Sequence, residues 1–209
     1  RNGGDGLSYM HPDYETLRGE APFAWYVGSG YPALLGLVGD ITLKDTNSSP
    51  DAMIDLYRKG MPLFEEAFDS RVRRPALSTA SVSYAHVNGL GVELIFPEYG
   101  EVNYENTGWS LDRYIAILQE KPDFASKGMM PFFLDYWKKM QAAFPGEKIG
   151  LGLGYEGPMT TAYELRDMDV FTDVYDKPEK FRQFMSLLVQ SIVDFAHFRA
   201  ALEGRPTVN

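Results

Sequence analysis

KIGLGLGYEGPMTTAY, residues Lys148 to Tyr163, is the stretch on which the reading of this chain turns. It opens as a short apolar run, Ile149 to Leu153, with glycines at 150, 152 and 154. Tyr155, Glu156, Gly157 and Pro158 then form a polar turn, and a helix is predicted to start at Thr160 or just before it. Apolar strand, polar loop, proline and helix in that order describe the junction between a strand and its crossover helix in a parallel sheet. In α/β proteins of this kind ligands collect at the carboxyl ends of the strands, where such loops lie. The three glycines alternate along a strand and do not open a phosphate-binding loop, and no Gly-x-Gly-x-x-Gly or Gly-x-Ser-x-Gly pattern occurs.

Upstream, Val92 to Phe96 is a second compact apolar run, closed by Pro97-Glu98-Tyr99-Gly100. Asn103 to Asn106 reads as extended, and Ser110 to Leu118 as a helix capped by Ser110. Gly128 to Phe144 is predicted to be a longer helix that delivers the chain to Ile149, its aromatic face at 132–137 belonging to the core. Ala80 to Asn88 suits a short helix ended by Gly89 and Gly91. Ser49-Pro50 opens another, in which Pro62 should kink or restart the helix. Residues 21–46 have no clear period and are read as an irregular segment, after a weakly structured lead-in with a turn at His11-Pro12.

Downstream, Asp169 to Tyr175 is a short helical piece. Asp176 and Glu179 form a capping-box-like start to the best-defined helix, whose stripe runs from Phe181 through Phe184, Leu188, Ile192 and Phe195 to Leu202. The chain stops at Thr207-Val208-Asn209, where another strand is expected. The order of elements indicates α/β with parallel strands. A (β/α)8 barrel takes about 250 residues, so this chain is read as the N-terminal portion of one. Residues 1–79 form the lead-in and helical segment, and 80–209 the first part of the barrel.

Composition narrows the function. The chain has 209 residues, 44% of them hydrophobic, and a formal net charge of −9. With no basic cluster beyond Arg71-Val72-Arg73-Arg74, neither nucleic acid nor an anionic membrane is an expected partner. There is no cysteine, hence no disulfide and no thiolate metal site. The three histidines, His11, His86 and His197, are dispersed and form no metal motif; His86 and His197 are read as packing or surface residues. A cytoplasmic soluble protein is the default expectation.

The assembled motifs resemble the uroporphyrinogen decarboxylase superfamily of (β/α)8 barrels, which includes corrinoid-dependent methyltransferases and aromatic O-demethylases. Gly154-Tyr155-Glu156-Gly157-Pro158-Met159-Thr160-Thr161-Ala162 resembles the family's strand, Gly-x-Pro-Phe-Thr-Leu-Ala and helix. Phe171-Thr172-Asp173-Val174-Tyr175-Asp176-Lys177-Pro178-Glu179 resembles its Asp-Leu-Tyr-Asp-x-Pro-Glu lead into a long helix. Leu90 to Glu98 resembles its Leu-Gly-Val-Asp strand ending in Phe-Ser-Asp. The likeness runs from about residue 80 to 209. The arginine-bearing N-terminal segment of true decarboxylases has no counterpart in residues 1–75. The resemblance therefore implies a methyltransferase moving a methyl group between a small methoxylated or methylamine-type substrate and a corrinoid carrier. Uroporphyrinogen decarboxylation and a non-catalytic barrel serving as a binding partner are the alternatives.

By the same resemblance Glu98 stands where decarboxylases carry a strand-end aspartate. The helix tyrosine of that family falls on Glu164 without a gap, or on Tyr163 with one residue skipped. Glu98 and Glu156 are the expected catalytic carboxylates, and Tyr99, Tyr155, Thr160 and Tyr163 the expected substrate contacts. Taken without the family, Glu98 serves equally as a solvated loop residue, Glu156 as a charge beside a helix N-terminus and Thr160 as a cap. A corrinoid on a partner protein is the implied cofactor, and zinc ligands of the family's type would lie beyond residue 209. Expected partners are a small-molecule substrate, a corrinoid protein and, as an open option, a second copy of the chain.

Overall fold

The computed structural model describes residues 16, 19–20, 27–68 and 72–206. The turn at His11-Pro12, the aromatics Phe23, Trp25 and Tyr26, Arg71 and the strand expected at 207–209 lie outside the described residues. The described elements are β1 (Val27–Gly28), α1 (Pro32–Val38), α2 (Leu43–Ser48), α3 (Pro50–Ala67), β2 (Val72–Arg73), α4 (Ala85–Gly89), β3 (Glu93–Ile95), β4 (Asn103–Glu105), α5 (Leu111–Gln119), α6 (Met130–Ala143), α7 (Pro158–Arg166), α8 (Asp169–Asp176) and α9 (Pro178–Leu202). The chain is thus mixed helix and strand, with short strands in small sheets; a closed barrel is not formed by the described residues.

The opening stretch enters a parallel ladder. Gly150 donates to the Leu77 carbonyl and accepts from Thr79, while Val82 donates to Gly152 and accepts from Gly154. Bridges join Ser78 to Gly150 and Val82 to Leu153, both parallel. Three residues, Thr79 to Ser81, therefore lie between the bridges on one strand, against Leu151 and Gly152 on the other. This is a β-bulge, and the Thr79 hydroxyl fills it by accepting from the Gly152 N–H at 2.8 Å. The bulge also explains the glycine spacing. A Cβ on Gly152 would lie 2.3 Å from the Ala80 carbonyl oxygen and 2.7 Å from that of Thr79. One on Gly154 would lie 2.9 Å from Ser83 Cα.

This pairing corrects the helix expected over 80–88. Residues 77–82 are extended, and only Ala85–Gly89 is helical. Alternating small and branched residues, Ala80-Ser81-Val82-Ser83, give a strand period that a helical template over the same few positions obscures. Strand β3 is found within Val92–Phe96, but it pairs antiparallel with β4, Leu94 opposite Tyr104. It is one arm of a hairpin here, not a parallel strand.

The N-terminal half differs most from expectation. Within the segment 21–46 read as irregular, Pro32–Val38 forms α1, and α2 (Leu43–Ser48) begins there and runs two residues past it. Helix α1 starts with Pro32 in its first turn and stops at Gly39, whose φ of 79° is left-handed. Helix α2 has a full capping box between Thr42 and Asp45. Both are too short for periodicity to declare them. Pro62 does not break α3, which runs through it as one helix capped by Ser49. The Pro62 ring and Arg58, whose carbonyl loses its helical donor, both face solvent, while Tyr57, Gly60 and Phe64 are buried on the other side.

At the other end α9 begins at Pro178 with Lys177 at its N-cap and no side-chain cap. Asp176 closes α8 instead, and Glu179 pairs with Arg182 at 2.8 Å, so the capping-box reading is replaced by a proline-initiated start. Two hydrophobic clusters hold the fold. One gathers α4, α5, α7 and α9 around Val82, Leu153, Phe184 and Phe195. The other gathers α1 and α3 around Tyr57, Tyr136, Met140 and Ile149. Helix α6 joins them: Phe132 and Trp137 pack against both clusters. The Trp137 indole also donates to the Ile149 carbonyl at 2.9 Å, and the Tyr136 hydroxyl to that of Thr46 at 2.6 Å.

Candidate functional site

The two paired strands end side by side, at Ser83-Tyr84 and at Tyr155-Glu156, and α7 starts just beyond the second end. Pro158 sits in the first turn of α7 with Gly157 at the N-cap, so Thr160 is neither cap nor first residue and is exposed. Thr161 instead turns inward and donates to the Glu156 carbonyl at 3.2 Å. This fixes the turn that carries Glu156. The buried residues of α7 are Thr161, Ala162, Glu164, Leu165 and Arg166. A glutamate stands on the face that a helix normally fills with apolar side chains.

Glu164 is 3% exposed. Its backbone carbonyl accepts from the Asn106 side chain at 3.3 Å. Burial, reinforced by the neighbouring Glu156 carboxylate, pushes its pKa up to about 7. Tyr84 and Tyr104, both half-buried, stand beside it with ring centroids 4.8 Å apart and planes at 55°. Burial raises the Tyr84 hydroxyl pKa, followed by the charges of Glu164, Glu156 and Glu101. Tyr104 is raised by burial and then by Glu164, with Tyr163, Tyr84 and Asp167 adding to it. Two aromatic rings and a group of carboxylates therefore share the strand ends. The buried cation nearest in sequence, Arg166, is committed elsewhere: to Asp173 at 2.7 Å, Asp169 at 3.1 Å and the Trp109 carbonyl.

Tyr84 and Glu101 also line a cavity of about 650 Å³, together with Tyr31, Asn47, Ser78, Ser81 and Lys148. Its size suits a small-molecule ligand. Of the carboxylates near Tyr84, Glu101 lines this cavity, and Glu156 and Glu164 are not among its lining residues.

The six residues singled out by sequence are distributed around this centre. Glu156 lies within it, through its influence on Glu164 and Tyr84. Tyr163 borders it; its hydroxyl pKa is raised by the Asp167 carboxylate, as hydrogen-bond partner and as charge, and its ring lies 6.2 Å from that of Phe171. Tyr155 turns toward α9, edge-on to Phe195 at 5.9 Å and beneath the Arg199 guanidinium. Glu98 and Tyr99 lie exposed in the β3–β4 loop, Tyr99 at 84%. Thr160 is exposed on α7. Tyr84, Tyr104 and Glu101 join the centre without having been selected, and Glu164 had been named only as the ungapped counterpart of the family's helix tyrosine. A signal for Glu164 existed: it follows Thr161 by three residues and precedes Leu165, on the inward side of α7.

Among the described residues no three His, Asp or Glu side chains are grouped to hold a metal ion. His86 follows Tyr84 by two residues but is core: it is 1% exposed, between Phe124 and Phe195, with Nε2 3.0 Å from the Ser191 hydroxyl. Burial lowers its pKa to about 4.

No family model matches the chain, and no curated protein matches it. Among solved structures, the chain is similar to a methyltransferase from Methanosarcina mazei, with a TM-score of 0.58 over 92% of this chain at 18% identity. The likeness is one of fold. The chain spans 55% of that protein's length. No helix among the described residues is long and apolar enough to cross a membrane.

Proposed function

We propose that the protein is a methyltransferase of the uroporphyrinogen decarboxylase superfamily, built on part of a (β/α)8 barrel, that moves a methyl group between a small substrate and a corrinoid carrier. The reading rests on one observation above the others. A buried carboxyl group with a pKa near 7, Glu164, stands beside Tyr84, Tyr104 and Glu156 at the ends of paired parallel strands. The fold shared with a methyltransferase supports it.

A carboxyl group that titrates near neutrality can hold a proton against a leaving oxygen or nitrogen, or stand ionised beside a positive group. Tyr84 and Tyr104 supply apolar faces that orient a small substrate and exclude water from its methyl group. Met159, Tyr163 and Phe171 are exposed on α7 and α8, with the last two rings 6.2 Å apart, and would be the apolar residues to meet a corrinoid on a partner protein. When bound, that group supplies the cobalt centre that exchanges the methyl group. The described residues do not offer a zinc site, lacking both cysteine and a group of three ligands. The acidic mouth also favours methyl transfer over decarboxylation, because Glu101, Glu156 and Glu164 would repel a polycarboxylate porphyrinogen.

The test is transfer from a panel of methoxylated and methylated-amine donors to reduced cobalamin, followed by the corrinoid's absorption spectrum. Glu164→Gln is expected to slow transfer by about a hundredfold, within the range typical of a lost acid–base group. Turnover of uroporphyrinogen to coproporphyrinogen, or an unchanged rate in Glu164→Gln, would overturn the reading.

A further inference from the structure

Among the described residues four buried side-chain atoms have no hydrogen-bond partner, and two of them, Ser29 Oγ and Asn47 Oδ1, belong to residues that line one cavity, the one of about 650 Å³. The other two, His86 Nδ1 and Arg199 Nε, are on residues that do not line it. Asn47, in the last turn of α2, is 2% exposed. Buried polar atoms are ordinarily paired, and one left without a partner is destabilising. Two such atoms in the wall of one cavity point to a ligand that pairs them. Ser29 and Asn47 lie ahead of residue 80, outside the stretch on which the family resemblance rests. Of the methyl-transfer site, Tyr84 and Glu101 border the cavity, while Glu156 and Glu164 do not.

The wall is held in place from behind. Tyr136 donates to the Thr46 carbonyl at 2.6 Å and so fixes α2. Tyr57 donates to the Ala76 carbonyl at 3.0 Å and accepts from the Ser78 N–H at 3.1 Å. Tyr31 accepts from the Ser81 N–H at 3.4 Å. With helix and strand tied to the core, the cavity is set before a ligand arrives, which lowers the cost of binding.

The ligand's chemistry follows from the wall. Its charged residues are one of each sign, Glu101 and Lys148, and both are exposed. A charged group on the buried side would therefore meet no counter-charge. The unpaired atoms are an amide oxygen, which only accepts, and a hydroxyl, which donates and accepts. Ligand hydroxyls answer both. Leu43, Leu77 and Tyr31 add apolar carbon against which the C–H faces of such a molecule can pack. We infer that the cavity binds a neutral polyhydroxylated small molecule, a polyol or sugar, through Asn47 Oδ1 and the Ser29 hydroxyl. The inference goes beyond the methyl-transfer reading and does not depend on it.

The probes are glucose and myo-inositol, titrated calorimetrically into the purified protein. Cyclohexanol is the ring that keeps a single hydroxyl, and glucose 6-phosphate the charged counterpart. At least one of the two polyols is expected to bind saturably with a Kd of about 1 mM or tighter. Cyclohexanol should bind at least about tenfold more weakly, and Asn47→Leu and Ser29→Ala should each weaken polyol binding by about tenfold, as for a lost hydrogen bond to a buried group. Circular dichroism checks that the variants fold, and Ser29→Ala decides the matter should Asn47→Leu not fold. No saturable binding of either polyol would leave the two atoms to water and overturn the inference. So would equal affinity for cyclohexanol, tighter binding of glucose 6-phosphate than of glucose, or unchanged affinity in the folded variants. Polyol binding without methyl transfer retains this inference and removes the proposed function, and methyl transfer without polyol binding does the reverse.

Discussion

Two buried titratable side chains give this protein opposite responses to pH, and they can be separated. Glu164 has its folded pKa raised from 4.5 to about 7, so the folded state binds more protons than the unfolded one between those values. Its contribution is most favourable below pH 4.5 and is lost as pH rises through 7. His86 has its pKa lowered from 6.5 to about 4, so the unfolded state binds more protons in that window. Its contribution is present above pH 6.5 and is lost as pH falls toward 4. Each shift corresponds to an energy on the order of 3 kcal/mol at most, and over pH 4.5 to 6.5 the two oppose each other. Chemical denaturation across pH 4 to 8 should therefore give a shallow profile for the wild type. Glu164→Gln should gain roughly 1–3 kcal/mol at pH 8 and become acid-sensitive. His86→Leu should lose the acid sensitivity and retain the decline toward pH 8; parallel profiles for all three proteins would contradict the assignment. Neither role was legible in the residue alone. Glu164 and His86 look alike in sequence to the exposed Glu98 and His197, and only the neighbours that bury them set them apart.

At the scale of elements, the strand pair at 77–82 and 149–154 is the most sequence-determined part of the fold and also the most exacting. Its glycine spacing was legible as a strand, but the reason for glycine is the bulge opposite, in which Thr79 replaces a backbone partner. Gly152→Ala is expected to cost about 1–3 kcal/mol or more, the range for overpacking, because its Cβ meets carbonyl oxygens that cannot swing aside as a side chain would. Gly157→Ala, with nothing within 4 Å of the added carbon, is the matched control. Equal thermal denaturation midpoints for the two would remove the bulge from the account. The bulge itself had no signal in the sequence, since pairing between segments 70 residues apart is a tertiary event. Capping was read well at Ser49 and Ser110, where a hydroxyl precedes the helix and accepts from the third residue on. It failed at Asp176, where Pro178 starts the helix without a side-chain cap.

For the whole molecule, α6 is the element that makes two hydrophobic clusters one structure. Its Trp137 packs against both and anchors Ile149, the first residue of the opening strand's apolar run. Trp137→Ala should cost about 3–5 kcal/mol, as for truncation of a packed aromatic residue. In the wild type, far-ultraviolet circular dichroism and tryptophan fluorescence should report one coincident unfolding transition. Two separated transitions would show that the N-terminal helices and the strand-end region are independent. What the sequence determined by itself is local. It sets the apolar run at 149–153, the proline-marked start of α7, the helices of strong period and the excess of negative charge, because each depends on neighbours a few residues away. The tertiary structure decided which residues meet. It turned the first residues of the helix predicted over 80–88 into a strand, made α1 and α2 largely from a segment without period, and left Glu98 and Tyr99 in solvent. It also brought Glu164 and Glu156, from one turn and helix, to Tyr84 and Tyr104, from two other segments. A carboxyl group acquires a neutral pKa and a chemical use only from such an environment, and spacing along the chain does not record it.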